Sequence, residues 1–158
     1  MNVDVTLPDG SVKTFDHAVS GFDIAKSIGS RLAKDAICLE IDNVFYDLSA
    51  IFESDISVRI VTNSDPDALH ILRHSSAHIL AQAVLNLYPS AEYGVGPSIE
   101  NGFYYDFLFK EPLKESDLIE IENEMIKITK NAQKFTKSEI SKKDAKKLFK
   151  NQSFKIEL

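Results

Sequence analysis

With a single cysteine, Cys38, this chain cannot form an internal disulfide. Cys38 lies in Ile37-Cys38-Leu39-Glu40-Ile41, which alternates like a strand, and it reads as a structural thiol. Tryptophan is absent, glycine and proline are scarce, and no internal repeat or low-complexity tract appears. No apolar run approaches the ~20 residues of a membrane-spanning helix. The chain opens without a basic-plus-apolar leader, so a cytoplasmic location with no membrane contact is expected. No glycine-rich phosphate loop follows a strand, which leaves no candidate ATP site.

What is present is a 44% hydrophobic chain of 158 residues, enough for one ordinary domain or two small ones. Its formal charge of −6 hides a gradient. Residues 1–62 carry ten Asp/Glu against five Lys/Arg, whereas residues 127–150 carry nine Lys against Glu139 and Asp144. Overall acidity therefore does not exclude an RNA partner, which responds to a local basic face.

The first sixty residues read as hairpin, helix, then more strands. Val3, Val5 and Leu7 alternate, Pro8-Asp9-Gly10 turns, and Val12–Phe15 returns. Phe22, Ala25, Ile28, Gly29 and Leu32 predict a helix over Gly21–Lys34. Strands follow at Ala36–Ile41 and Val44–Tyr46 around an Asp42-Asn43 turn, and a last one alternates through Ile56, Val58 and Ile60. This order is that of a β-grasp, or ubiquitin-like, domain spanning 1–62.

Residues 63–158 read as a second, α+β domain. Asn63–Asp67 is a linker that caps a helix running from Asp67 to Leu87, with Leu69, Leu72, Leu80, Ala83, Val84 and Leu87 as its buried stripe. A glycine-containing loop leads into an aromatic strand in Gly102-Phe103-Tyr104-Tyr105-Asp106-Phe107. A helix is expected from Ser116 to about Phe135, with Leu118, Ile121, Met125 and Ile128 inward. Ser141 starts a short helix with Ala145, Leu148 and Phe149 inward, and Ser153–Leu158 reads as the start of a strand. No closing partner for that strand is visible, so a truncated domain is expected.

The most informative motif is Arg73-His74-Ser75-Ser76-Ala77-His78. Two histidines four apart on a helix stack one turn above the other, and His70 extends the line. Such a pair can bind a metal, hold polar groups of a substrate, or move a proton near neutral pH. A zincin is excluded, because Ser75 stands where HExxH needs glutamate. His17 and His70 are read as structural. Tyr104 and Tyr105 point to opposite faces if their segment is a strand, one toward the core and one toward a ligand. Gly94, Gly96 and Gly102 permit close backbone approach, by substrate or within ordinary turns. Asp106 is of the right type to orient a histidine.

The segment Val5-Thr6-Leu7-Pro8-Asp9-Gly10-Ser11 and the elements around it resemble the TGS domain. TGS, then RHSSAH, then Gly-Pro-Ser-Ile-Glu-Asn-Gly-Phe-Tyr-Tyr-Asp-Phe, resembles the N-terminal region of the bacterial-type threonyl-tRNA synthetase family over essentially the whole chain. The resemblance implies a TGS domain followed by part of an editing domain that hydrolyses serine mistakenly joined to tRNA(Thr). It assigns catalysis to His74 and His78. Gly96, Tyr104 and Tyr105 are the candidate substrate contacts, and Lys127, Lys130, Lys134 and Lys137 the candidate tRNA contacts.

The family's second metal-type pair, CxxxH, is missing here, so no metal and no cofactor are expected in this chain. ATP, Mg and Zn belong to the family's absent catalytic core. The implied parent ligates threonine to tRNA(Thr) with ATP and dimerises through absent domains; the fragment alone is expected not to aminoacylate and to be incomplete for editing. The rival readings are a non-catalytic RNA-binding or regulatory TGS module and a freestanding trans-editing hydrolase.

Overall fold

The computed structural model describes residues 2–133, 136 and 138–157. They form two compact units, Met1–Leu69 and His70–Leu158. In the first, β1 (Val3–Thr6) and β2 (Val12–Phe15) make the expected antiparallel hairpin. Its turn holds because Gly10 takes φ +83° and the Asp9 carboxylate accepts from the backbone N–H and hydroxyl of Ser11 at 2.9 and 2.6 Å. Then come β3 (Val19–Ser20), α1 (Gly21–Ile28), α2 (Ser30–Asp35), β4 (Ala36–Ile41), β5 (Val44–Asp47), β6 (Ile51–Phe52), β7 (Ile56–Ser57) and β8 (Arg59–Thr62). β1 pairs in parallel with β7, β3 antiparallel with β6, and β4 antiparallel with both β5 and β8. The mixed pairing with a helix on its core side is the β-grasp arrangement. Val3, Val5, Val19, Ile24, Leu39 and Val58 are its buried centre.

Three expectations change in this unit. The helix expected over 21–34 is two, because the backbone of Gly29 is extended and the chain restarts its helical bonding at Ser30. α1 also seats on a different face. Gly21, Ile24 and Ala25 are buried while Phe22 is 50% exposed. Close approach at Gly21 sets this orientation, since a Cβ there would lie 2.9 Å from Leu39 Cδ1. The strand expected over 56–60 divides at Val58, whose N–H donates to Thr6 O at 2.9 Å, so β7 joins β1 and β8 joins β4.

The linker meets the next helix through its backbone, Ala68 N–H donating to Asp65 O at 3.1 Å, rather than through the Asp65 side chain. Asp65 turns backward and accepts from the N–H and hydroxyl of Thr62, both at 2.7 Å. Arg59 gathers Glu40 at 2.5 Å and Asp65 and Asp67 at 2.7 Å each, tying β8 and β4 to the start of α3 (Pro66–Leu87). Pro66 opens that helix where its missing N–H has no cost.

The second unit continues with β9 (Glu92–Tyr93), β10 (Ser98–Ile99), β11 (Gly102–Phe103), β12 (Phe107–Leu108), α4 (Glu115–Lys130), α5 (Lys142–Leu148) and α6 (Ser153–Glu157). β10 and β11 form a hairpin, and β9 pairs with β12. The core joins Ala83, Val84, Ala91, Ile121 and Ile128 to Leu80, Leu87, Tyr88, Phe107 and Phe109. α3 is buried through its small residues, whereas Leu69 and Leu72, expected inward, are 52% and 45% exposed. Leu118 and Leu148 are likewise exposed.

α4 stops at Lys130, where Ala132 adopts φ +46°, rather than reaching Phe135, which lies outside the described residues. Tyr104–Asp106 fall between strands rather than within one. Where a strand was expected over 153–158, Ser153–Glu157 form a helix, and Leu158 lies outside the described residues. The strand's place beside β9 is taken by the Gln152 side chain, which accepts from Tyr93 N–H at 3.0 Å and donates to Ala91 O at 3.1 Å. The Glu92 carboxylate accepts the N–H of Ser153 at 3.1 Å and satisfies the helix start. Among the described residues no helix is long and apolar enough to cross a membrane.

The Arg59 cluster predicts that a polypeptide of residues 1–69 melts higher than one of residues 1–62, which lacks Asp65 and Asp67. The guanidinium is 36% exposed, so solvent screening holds its three pairs to about 1 kcal/mol in all. Thermal melts at low and high salt check this: the gap between the two polypeptides narrows as salt is added.

Candidate functional site

Helical spacing on α3 brings His70, His74 and His78 into one line, as their intervals of four require. Each holds something different. His70 Nδ1 lies 2.9 Å from Ser98 Oγ on β10. One turn on, the Arg73 guanidinium donates to the carbonyls of Ile99 and Glu100. Together they pin the β10–β11 hairpin against α3, and His70 has the structural role expected of it.

His74 and His78 face each other. Their Nε2 atoms are 3.1 Å apart, the ring centroids 4.7 Å apart and the planes nearly perpendicular at 88°. At that separation one nitrogen donates and the other accepts, so the two rings share a single proton between them. Both side chains are exposed on the unit's surface. Partial desolvation, then the charge of His74 and that of Lys155, hold the His78 imidazole below its ordinary pKa of 6.5. At neutral pH His78 is therefore uncharged, with a lone pair available.

Lys155, whose charge reaches His78, leads to an aromatic row. Tyr93 and Tyr105 are 6.4 Å apart, and Tyr105 stacks on Phe107 at 4.9 Å with 21° between planes. Burial pushes both tyrosine hydroxyls above their ordinary pKa, so they remain neutral donors. The Lys155 ammonium sits 5.0 Å from the Tyr93 ring centroid, and desolvation lowers its pKa. Gly96 is where the Tyr105 ring lies against the backbone, a Cβ there falling 2.0 Å from Cδ2. The close approach that Gly96 permits is thus made by this ring. Tyr104 is 51% exposed beside it, the opposite disposition of the two tyrosines that was anticipated, reached without a strand. Asp106 lies across from Gly94, with no hydrogen bond to either histidine.

The lysines are less gathered. Lys127 pairs with Glu124 at 3.1 Å, and Asn86 donates to the same carboxylate at 3.0 Å. Lys130 is exposed at the end of α4, and Lys134 and Lys137 lie outside the described residues. No group of three or more His, Cys, Asp or Glu side chains suited to a metal occurs among the described residues.

Sequence reading overlooked Arg73, Ser98, Tyr93 and Lys155. Arg73 and Ser98 act through partners some 26–28 positions away, which no local pattern reports. Lys155 was placed on a strand that is a helix.

Residues 3–62 match the TGS domain. Across its length the chain is similar to threonine–tRNA ligases. It is 45% identical over 159 residues to that of Enterococcus faecalis, covering 100% of this chain and 25% of the relative. It is 46% identical over 147 residues to that of Ruthia magnifica subsp. Calyptogena magnifica, covering 93% and 23%. The protein of Desulforapulum autotrophicum is 42% identical over 156 residues, with 99% and 24% covered. Along nearly its whole length the chain is homologous to a part of the threonine–tRNA ligases, and it carries a TGS domain. It spans about a quarter of the length of these curated relatives.

Two predictions follow from this geometry. In an NMR titration the His78 ring is expected to reach its midpoint below pH 6.5. Because desolvation leads, His74→Ala raises that midpoint only in part. The folded chain holds this proton less tightly than the unfolded chain, so acidification from about pH 6.5 downward favours unfolding, and stability from this group is present above that pH. Separately, Arg73→Ala is expected to speed amide hydrogen exchange at Ile99 and Gly102 by at least tenfold. Exchange in α4 should not change, since the core beneath is untouched.

Proposed function

We propose that this chain is the proofreading part of a threonine–tRNA ligase, clearing serine mistakenly esterified to tRNA(Thr) and contacting the tRNA acceptor arm. The observation that carries the reading is the 3.1 Å His74–His78 contact on an exposed helix face. The need for such a site is physical. Serine lacks one methyl of threonine, worth ~1–3 kcal/mol of discrimination in a binding pocket, so a second, hydrolytic selection is required.

In this reading the imidazole pair takes a proton from a water molecule. The water oxygen bonds to the ester carbonyl carbon, the ester C–O bond breaks, and the ribose oxygen of the terminal adenosine leaves with a proton. Serine and free tRNA result. A neutral His78 suits the accepting role, because an imidazolium has no lone pair to offer. The shared proton lets the other ring supply what the leaving oxygen needs. Tyr104, half exposed, offers its face to the terminal base. Tyr105 and Gly96 form the wall behind it. Lys127, Lys130, Lys134 and Lys137 meet backbone phosphates. No step passes through a metal ion. Ligation of threonine with ATP belongs to regions of the parent outside this chain, a cytoplasmic enzyme that dimerises through those regions.

The test belongs in the full-length ligase from the same source. His74→Ala together with His78→Ala is expected to lower Ser-tRNA(Thr) hydrolysis by roughly 10²-fold or more, as loss of a general acid–base pair does, with threonylation unchanged. Stability should change little, because both side chains are exposed and alanine is the better helix former. Clearance of Ser-tRNA(Thr) at the wild-type rate would make the histidines scaffold and favour a non-catalytic RNA-binding module.

A further inference from the structure

The outer edge of β5 in the first unit plays no part in the histidine site. Native sheet edges are blunted by lysine, proline, a bulge or a covering element. β5 has none of these among the described residues. Its sequence is Val44-Phe45-Tyr46-Asp47, it pairs only with β4, and all four of its residues are exposed. Val44, Phe45 and Tyr46 are 52%, 44% and 39% exposed, so apolar side chains project from both faces of the edge. Ile51, 60% exposed, adjoins them next to Phe52, whose ring Tyr46 meets edge-on at 5.8 Å.

The strand and its flanking turns carry one sign of charge, and Arg59, across β4, is already held by Glu40, Asp65 and Asp67. Between Lys34 and Arg59 the chain holds no lysine or arginine. Asp42, Asp47 and Glu53 are exposed there. Such a rim repels a second copy laid edge to edge. It also repels nucleic acid, which binds by exchanging counterions for protein cations. It attracts a cationic strand.

We propose that β5 is a docking edge for a basic, extended polypeptide of another protein, which adds as a strand beside Val44–Asp47 and sets its cations against Asp42, Asp47 and Glu53. The backbone edge supplies hydrogen bonds, Phe45 and Tyr46 supply apolar contact on the two faces, and the acidic rim selects the partner's charge.

The full chain, isotopically labelled, is titrated with a capped nine-residue peptide alternating valine and lysine, N-methylated at every second residue so that it presents a single hydrogen-bonding edge. Expected are saturable shifts confined to β5 and Ile51, and slowed hydrogen exchange of those β5 amides that β4 does not use. Phe45→Lys and Glu53→Lys should each weaken binding at least tenfold; Glu53, at an exposed position outside the strands, keeps the test valid if the β5 variant folds poorly. Equal binding by the glutamate analogue, or by the peptide methylated at every residue, overturns the proposal. So do shifts centred elsewhere, no binding at millimolar peptide, or β5 shifts produced by a single-stranded oligoribonucleotide in place of the peptide.

Discussion

Helix α3 enters its core through alanine. Ala77, Ala81 and Ala83 are at 0%, 6% and 0% exposure, with Val84 at 1%. Small side chains let neighbouring elements approach the backbone, and the helical period then dictates what remains outside. His74 and His78 share a side of α3 with Ala77 and Ala81, and the alanines are buried while both longer imidazoles reach the surface. Larger residues at the alanine positions would lift the neighbours away from the helix. The hairpin held by His70 and Arg73 would lose its register with the pair. Placement of the histidines is thus a consequence of core packing, and their chemistry requires no buried charge.

That chemistry is set first by desolvation and then by crowded positive charge. Two imidazoles with Nε2 atoms 3.1 Å apart cannot both carry a proton there without repulsion, and Lys155 adds a third potential cation. The surroundings answer with desolvation and aromatic faces, since no acidic group joins the histidines in a metal-type cluster among the described residues. Desolvation lowers the proton affinity of both His78 and Lys155, and for His78 the neighbouring charges add to it. His78 is thereby held neutral at neutral pH, the state that the proposed abstraction of a proton from water requires.

Much of this was legible in the residues where a local rule has a single solution. Pro8-Asp9-Gly10 and Asp42-Asn43 read as turns because they supply residues that tolerate positive φ, and Gly10, Asp42 and Asn43 adopt it. The HxxxH motif read correctly as a stacked pair because helix geometry fixes the i, i+4 distance. Ser141 was recognisable as a cap, and its hydroxyl accepts the N–H of Asp144 at 3.2 Å. The failures share a cause. Apolar periodicity in α3 nominated Leu69 and Leu72, but burial was decided by which neighbours arrive, and they meet the alanines. The stretch 153–157 has strand-like residues, yet Gln152 occupies the edge of β9 first. Arg73 and Ser98 found their roles through tertiary partners that spacing along the chain does not encode.

The division of charge along the chain constrains how any proposed tRNA contact is made. The acidic β-grasp unit has no cation across Asp35–Val58, so phosphate contacts there would be made against an unfavourable field. The cations are concentrated in residues 127–150, and α4 delivers Lys127 and Lys130 at its C-terminal end, where the helix dipole also favours them. Lys127 is partly spent on Glu124, at a carboxylate that Asn86 also binds, so its charge is compensated before any ligand arrives. Net attraction for a polyanion then depends on lysines without such partners, and a salt bridge on this surface weakens, rather than signals, nucleic-acid affinity. Long-range steering toward tRNA by this chain alone is consequently modest. In the proposed reading the weight of recognition then falls on short-range contact with the imidazole pair and with the exposed Tyr104, which need no electrostatic field to act.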